Sequence, residues 1–385
     1  MKAIIIGAGI GGMSSALALS RCGYETEVFE AVKQMKPVGA AISIWPNGVK
    51  CLNALGLRDE LKALGGNMAW MAYNDYASGH QLTRFSLSPL VERVGEYPYP
   101  VARAELQQML INSYGAERVN FGKRVTRVDQ DSDGVQVWFD DGSEARGDFL
   151  IAADGTHSVV REYVRGQPTE RRYAGYVNWN GLVTVDESIA PADQWTTFVG
   201  EGKRVSLMPV SGNRFYFFFD VPLEKGLAED RETLKDDLSG YFRGWAQPVQ
   251  KLIKLIDAQT TNRVEIHDIE PFMEFVKGRV ALLGDAAHST TPDIGQGGCA
   301  AMEDAIVLAS VLASHSLGIE DSLLRYQNRR NLRVKDLILK ARKRCDITHG
   351  KDPHATAGWY SELREETGER VLGGMCETIE GGPLG

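Results

Sequence analysis

Lys2-Ala3-Ile4-Ile5-Ile6-Gly7-Ala8-Gly9-Ile10-Gly11-Gly12 opens this 385-residue chain and decides its fold. The apolar run through Ile6 reads as a buried strand. Gly11 to Cys22 is small and apolar like a helix face, and Gly23 is a helix stop. Between strand and helix, Gly7, Gly9 and Gly12 fill the pattern G-x-G-x-x-G. Gly7 permits the tight turn, Gly9 lets backbone N–H groups approach a pyrophosphate, and Gly12 allows close helix–strand packing, with Gly11 between them. The helix N-terminus then faces phosphate. Glu25 to Glu30 is a second strand. Glu30, eighteen residues after Gly12, suits a ribose diol and would repel a 2′-phosphate at that site. The loop defines a dinucleotide site without choosing between NAD and FAD.

The rest of the chain is interleaved around this unit. Strands are predicted at Ala69–Ala77, Gln81–Ser86, Arg124–Gln130, Val135–Phe139 and Asp148–Ala153, and a helix at Ala104–Ser113. Long aromatic-rich strands follow, with Val177–Val185, Arg204–Val210 and Arg214–Asp220 the clearest. Helices are expected at Arg231–Phe242 and Pro248–Asp257, a short strand at Arg279–Leu283, then helices from Gly298 to His315 and from Asp321 into the 340s. The Gly-rich tail Gly373–Gly385 reads as mobile. These patterns divide the chain into a discontinuous nucleotide-binding domain (1–72, 98–172, 271–350), a β-rich substrate domain (73–97, 173–270) and a C-terminal helix or tail (351–385).

A net charge of −8 and a pI near 5.5 argue against nonspecific binding to nucleic acid or anionic membrane. No apolar run reaches membrane-spanning length. The five cysteines are scattered without metal-ligand spacing, so they read as reduced thiols in a cytoplasmic protein. No Ser/His/Asp triad and no zinc-like His/Cys cluster can be assembled, so no metal is expected.

Three further places carry chemistry. Arg103 opens a predicted helix, where a cation opposes the helix dipole; that misfit points to an anionic partner such as a flavin nucleotide's phosphate. Asp154-Gly155 and Gly284-Asp285 each end a buried strand, where a carboxylate enters the ligand crevice of an α/β sheet. Asp285 could accept from a ribityl chain. The loop Pro292-Asp293-Ile294-Gly295-Gln296-Gly297-Gly298 has little side chain to block a flat ring, and the helix after it aims a positive dipole there. His288 reads as a packed structural histidine.

Taken together, Gly7/Gly9/Gly12 with Glu30, Arg103, Asp154-Gly155 and Gly284-Asp285 resemble the single-component flavoprotein aromatic hydroxylases, to about residue 345. The resemblance implies an α/β fold: a Rossmann-like FAD-binding domain of the para-hydroxybenzoate hydroxylase type with an interleaved β-sheet substrate domain and C-terminal helices. It implies bound FAD, with Asp285 on the ribityl chain and Asp154 near both FAD and the approach path of the nicotinamide. It also implies O₂ as co-substrate and hydroxylation through a flavin C4a-hydroperoxide. With no second G-x-G-x-x-G unit, the nicotinamide cofactor would bind transiently. NADH is favoured over NADPH because no clustered Arg/Lys pair suggests a 2′-phosphate site. Many relatives carry Asn shortly after Gly-Gln-Gly; Gly298-Cys299 stands here instead, which resembles the branch acting on salicylate and urate.

Strand alternation puts Arg204, Ser206 and Met208 on one face, and Arg214, Tyr216 and Phe218 on one face of the next strand. If these form a hairpin, Arg204 and Tyr216 share a side, suiting a small planar anionic heterocycle such as urate. Asp293 would orient the flavin or a substrate N–H, or else close an Asx-type turn after Pro292. The competing readings are a salicylate-like aromatic-acid hydroxylase, a simple FAD reductase, and a noncatalytic protein on the flavoprotein fold. A homodimer is compatible with the sequence.

Overall fold

Lys2–Ile6, Phe149–Ala152 and Val280–Leu282 lie side by side as parallel strands, although almost the whole chain separates the first from the last. They form the centre of a six-stranded sheet completed by Val276–Lys277 on one side and by Glu25–Glu30 and Val119–Phe121 on the other. The structure, a computed structural model, describes residues 1–34, 40–228, 230–314 and 317–385. The first strand is apolar throughout because both faces of the sheet are covered. Ala3 and Ile5 face a core built with Met13, Ala16, Leu106, Leu110, Met302 and Leu308. Ile4 and Ile6 face the opposite core with Val128, Val137, Phe139, Val334 and Leu337.

A second sheet of seven strands carries Asn262–Ile269, Arg171–Val183, Arg214–Pro222, Lys203–Val210, Gln194–Gly200, Trp70–Asp75 and Gln81–Ser86, in that order. Its two faces differ in kind. Val177, Trp179, Val205, Leu207, Phe215, Phe217 and Phe219 pack into an aromatic core with Leu234, Leu238, Val249 and Leu252 of two covering helices. On the other face Asn178, Asn180, Thr197, Arg204, Ser206 and Asp220 are buried polar residues. A sheet that buries polar groups on one face must satisfy them there, by pairing or by a ligand.

The helices at Arg103–Tyr114, Leu234–Tyr241 and Gln247–Leu255 fall where the periodicity placed them. The helix beginning at Gly297 runs to Leu312; the expected end at His315 lies outside the described residues. The tail departs from expectation. The glycine content of Gly373–Gly385 predicts a mobile segment, yet Glu369–Glu380 is a helix, preceded by another at Pro353–Glu365. Leu372, Cys376 and Ile379 sit one turn apart and are buried against Leu90, Val94 and Trp359. Burying such side chains contributes roughly 1.5–3 kcal/mol each, which outweighs about 1 kcal/mol for each helical glycine at Gly373 and Gly374. Arg333 donates to the Thr378 carbonyl at 2.6 Å and Arg93 pairs with Glu380 at 2.6 Å, tying this helix to both halves of the molecule.

Candidate active site

Because the three central strands are parallel neighbours, their C-terminal loops emerge together: Gly7–Gly12, Asp154-Gly155 and Gly284-Asp285. A buried guanidinium joins the last two. Arg161, 3% exposed, donates to the carbonyls of Ala286 (2.6 Å), Asp285 (2.8 Å), Thr156 (3.1 Å) and Gly155 (3.3 Å). The Gly284 N–H donates to Asp304 at 2.9 Å. Asp304 is also held by His288 at 2.6 Å and by the buried Arg330 at 2.6 Å. His288 is thus a packed structural residue.

A cleft of about 740 Å³ opens beside these loops, lined by Gly7, Gly9, Glu30, Arg103, Lys123, Asp154, Gly155 and His157 among others. Gly7 holds a left-handed φ of +100°, and a Cβ at Gly12 would collide with the Gly7 carbonyl oxygen. A Cβ at Gly9 would meet open space, so of the three motif glycines it is the one with room for a ligand to approach. Gly11 instead packs on Leu283 and Ala301. The Ile10–Arg21 helix has no side-chain cap, which leaves its first N–H groups free for an anion. Glu30 accepts from the Ala8 N–H at 2.7 Å and the Val32 N–H at 3.0 Å, bracing the loop from the end of its strand. Arg103 is the first residue of its helix and is exposed at the cleft wall.

The carboxylates behave differently. Burial pushes the Asp154 carboxyl above its ordinary value, against the opposing pull of the N–H groups of Val159 (3.0 Å) and Val160. Its Oδ1 is buried without a partner, the sort of atom a bound ligand satisfies. Asp285, one loop away, is exposed. The open glycine face, the uncapped helix, the orphaned Asp154 oxygen and the free Asp285 carboxylate together fit a dinucleotide cofactor lying across all three loops.

The loop Pro292–Gly298 meets the polar face of the seven-stranded sheet through Asp293 and lies near Ile10, beside the glycine turn, through Gly298. Gly295 packs on the Trp45 indole, and Gln296 is buried, accepting from Asn47 at 2.8 Å. Gly297 and Gly298 begin a 16-residue helix that has neither a side-chain cap nor an acidic residue in its first turn. Asp293 turns towards the sheet.

Lys203–Val210 and Arg214–Pro222 do form an antiparallel hairpin, with Arg204 opposite Asp220 and Met208 opposite Tyr216. Directly opposed residues share a face, so Arg204 and Tyr216 lie on the same side, about 13 Å apart along the strands. Arg204 is buried, not a surface cation. Its Nε lies 2.7 Å from Asp220, its Nη2 reaches Asp293 at 3.4 Å, and its guanidinium sits 5.0 Å from the Phe218 ring centroid. Burial opposes the charge, yet the two carboxylates hold the guanidinium above its ordinary pKa. Burial pushes the Asp293 carboxyl up, but His349 and Arg204 together draw it down to about 2. Burial raises the Tyr216 phenol, so its proton stays in place as a donor.

Several residues of this face were not singled out from sequence. Asp220 anchors Arg204 and takes the Asn178 amide at 2.6 Å, which in turn accepts from Asn180 at 2.6 Å. Tyr176 donates to Asp293 at 3.0 Å, and His349 lies 3.2 Å from the same carboxylate. The signal for the first three was present: Asp220 interrupts an aromatic run on the face of Tyr216 and Phe218, and Asn178 and Asn180 alternate with Val177 and Trp179. His349 follows a 30-residue helix, where no local pattern marks it.

A nucleotide crevice at three parallel strand ends, joined through a glycine loop to a polar, aromatic-lined sheet face, defines a FAD-dependent enzyme of the hydroxylase type. The FAD binding domain family matches residues 1–341. The chain is 66% identical over its whole length to an FAD-dependent urate hydroxylase of Klebsiella pneumoniae, covering all of both chains. It is 54% identical to the enzyme of that name from Mycolicibacterium vanbaalenii, covering 100% of this chain and 98% of the other. The crystal structure of Klebsiella pneumoniae HpxO complexed with FAD and uric acid superposes with a TM-score of 0.98 at 65% identity, covering 100% of this chain and 98% of that one. The chain belongs to the FAD-binding, single-component flavoprotein aromatic hydroxylases, and is a flavin monooxygenase.

Proposed function

We propose that this enzyme hydroxylates urate to 5-hydroxyisourate, using O₂ and a reduced nicotinamide. The carrying observation is the buried Arg204 on the same sheet face as Tyr216, beside the loop of Asp293. A guanidinium set in a dry site offers a planar fork to an anionic heterocycle. Tyr216 offers a flat ring and a retained hydroxyl proton at the other end. Phe218 between them supplies an apolar surface for a planar ring. The names of the full-length relatives, and the uric acid bound to HpxO, support the same substrate.

When bound, the flavin supplies hydride acceptance from the nicotinamide and oxygen activation. The protein's part is to hold it and to exclude water. Gly7, Gly9 and the uncapped helix would hold the pyrophosphate, Glu30 the ribose, Arg103 a phosphate and Asp285 the ribityl chain. Pro292 and Gly295–Gly298 would lie along the ring, and Asp154 at the nicotinamide's approach. NADH is the expected reductant, on transient contact with the same body (1–72, 98–172 and 271–350). The substrate unit is then 73–97 with 173–270.

The test uses protein reconstituted with FAD. Urate should stimulate NADH oxidation more than NADPH oxidation, and salicylate and simple phenols should not; ¹⁸O₂ should label the product. Absence of urate stimulation, or stimulation by salicylate in its place, would defeat the reading.

A further inference from the structure

One wall of the crevice carries more positive charge than its fold requires. The chain as a whole is acidic, with a net charge of −8. Yet Arg161, Arg165 and Arg171 gather beside Asp154-Gly155. Burial pushes the Arg161 guanidinium below its ordinary pKa, and Arg165 and Arg171 push the same way against Asp154 and Asp285. Among the described residues, none of the three forms an ion pair; they bind carbonyls, a hydroxyl and an imidazole instead. Arg172, by contrast, is paired with Asp268 at 2.9 Å.

Two of these guanidiniums have structural work. Arg161 ties the two distal loops through their carbonyls. Arg165 ends the helix Val160–Arg165, where a cation suits the dipole; it donates to Thr169 at 2.6 Å and lies 4.5 Å from the Phe272 ring centroid. Arg171 has no such role. It opens the strand Arg171–Val183, and its Nε is buried without a partner. Its one hydrogen bond among the described residues runs from Nη1 to His157 Nε2 at 3.3 Å. A guanidinium only donates, so Nε2 is the acceptor and the imidazole proton sits on Nδ1. Burial, then Arg171 and Arg161, lower the His157 pKa, which keeps the ring neutral. His157 itself is exposed and lines the cleft with Asp154, Gly155 and Val159. The cluster thus opens on the cleft through a donor imidazole, with an uncommitted guanidinium directly behind it.

Such a site fits a phosphate-bearing anion. The planar fork matches phosphate oxygens, and cations crowded without a counter-ion are relieved when one arrives. The flavin nucleotide's own diphosphate would rest on the glycine turn, the uncapped Ile10–Arg21 helix and Arg103. A second anionic subsite on the same cleft answers to the other dinucleotide the reaction needs, for which the chain has no second G-x-G-x-x-G turn. We propose that Arg171, with His157 and Arg165 beside it, receives the diphosphate of the reduced nicotinamide dinucleotide and so sets that molecule at the Asp154 side of the crevice. This rests on the reading above that such a dinucleotide is the reductant.

The test follows anaerobic reduction of the FAD-loaded enzyme by NADH, with urate present, in a stopped-flow spectrometer. Wild type is compared with Arg171→Gln, Arg171→Lys and the double variant Arg165→Gln/Arg171→Gln. Arg171→Gln should raise the apparent dissociation constant of NADH about tenfold, as the loss of one charge-assisted hydrogen bond implies, and the double variant should raise it further. The limiting reduction rate should stay within about twofold, since binding lost equally from ground and transition states leaves that rate alone. Arg171→Lys should recover only part of the affinity, because a point charge does not replace the fork. The dissociation constants of FAD and urate should stay within about twofold of wild type, as for independent sites. A double variant with wild-type NADH affinity overturns the proposal. So does a loss of FAD affinity matching the loss for NADH, which would assign the cluster to the flavin nucleotide. Should Arg171→Gln fail to fold, the wild type decides: inorganic pyrophosphate that inhibits reduction competitively with NADH and leaves FAD bound supports the proposal, and pyrophosphate that does not compete overturns it. A wild type whose flavin is reduced by neither NADH nor NADPH instead refutes the reductant reading, and the proposal falls with it.

Discussion

Replacing Arg161 with methionine tests whether the two distal loops are held together or merely end near one another. The guanidinium is 3% exposed and makes four hydrogen bonds, all to carbonyls, on Gly155, Thr156, Asp285 and Ala286. Burial pushes it below its ordinary pKa, the mark of a charge retained at a cost. Hydrogen bonds to a charged group contribute roughly 1.5–3 kcal/mol each, so the four are worth about 6–12 kcal/mol before offsets. Methionine removes the burial cost of the charge, and the carbonyls at the cleft edge can regain water. A net loss of about 3 kcal/mol is expected, near the lower end for breaking a buried charged network. Because Gly155 and Asp285 would no longer keep a fixed spacing, FAD affinity should fall roughly ten- to a hundredfold, equivalent to about 1.4–2.8 kcal/mol. Urea denaturation without FAD gives the first quantity, and titration of flavin fluorescence gives the second. Lysine should rescue little, because a point charge cannot span four acceptors in two loops. A methionine variant within about 1 kcal/mol of wild type, with unchanged FAD affinity, would show that each loop is set by its own turn.

Three other outcomes follow from the same contacts. Gly373→Ala and Gly374→Ala should each stabilise the protein by about 0.5–1 kcal/mol in urea, since both are helical and an added Cβ meets nothing within 4 Å; a loss of stability would contradict the helical assignment. Asp285→Ala should weaken FAD binding by roughly tenfold or more while leaving the apo-protein's unfolding free energy in urea within about 0.5 kcal/mol, because the side chain is exposed; unchanged FAD affinity would remove it from the ribityl site. Acid stability should report Asp293. Its folded carboxyl lies near 2, below an unfolded value near 3.9, so its stabilisation is complete above about pH 4 and is lost as pH falls towards 2, amounting to roughly 2 kcal/mol. The gap between wild type and Asp293→Asn should narrow by roughly two thirds between pH 5 and pH 2.5, and a constant gap would contradict the assignment.

What could be read before the structure depended on how far each signal reaches along the chain. Ile4-Ile5-Ile6 and the glycines after it are local: the strand, the turn and the helix each need only their neighbours, so the crevice was legible. Asp154-Gly155 and Gly284-Asp285 were legible as strand ends, but their adjacency came through the family resemblance, because parallel pairing over 130 residues leaves no periodic trace. Arg204 and Tyr216 could be placed on one face by counting in twos across a hairpin. The same counting applied to Arg171–Val183 would have exposed Asn178, Asn180 and Tyr176, whose side chains are buried polar groups on a strand that otherwise reads as core. The tail misled because glycine content was weighed without the apolar positions Leu372, Cys376 and Ile379, whose spacing of four and three is that of a helix face. His349 stood beyond reach for a different reason. Its partner Asp293 is fixed by loop geometry, and only the packing of a long helix against a distant strand brings imidazole, phenol and carboxylate together. The loops that frame the crevice are thus written locally, at strand ends. The groups that set the charge of the polar sheet face are written by tertiary packing, and substitutions there can alter that face without disturbing the crevice.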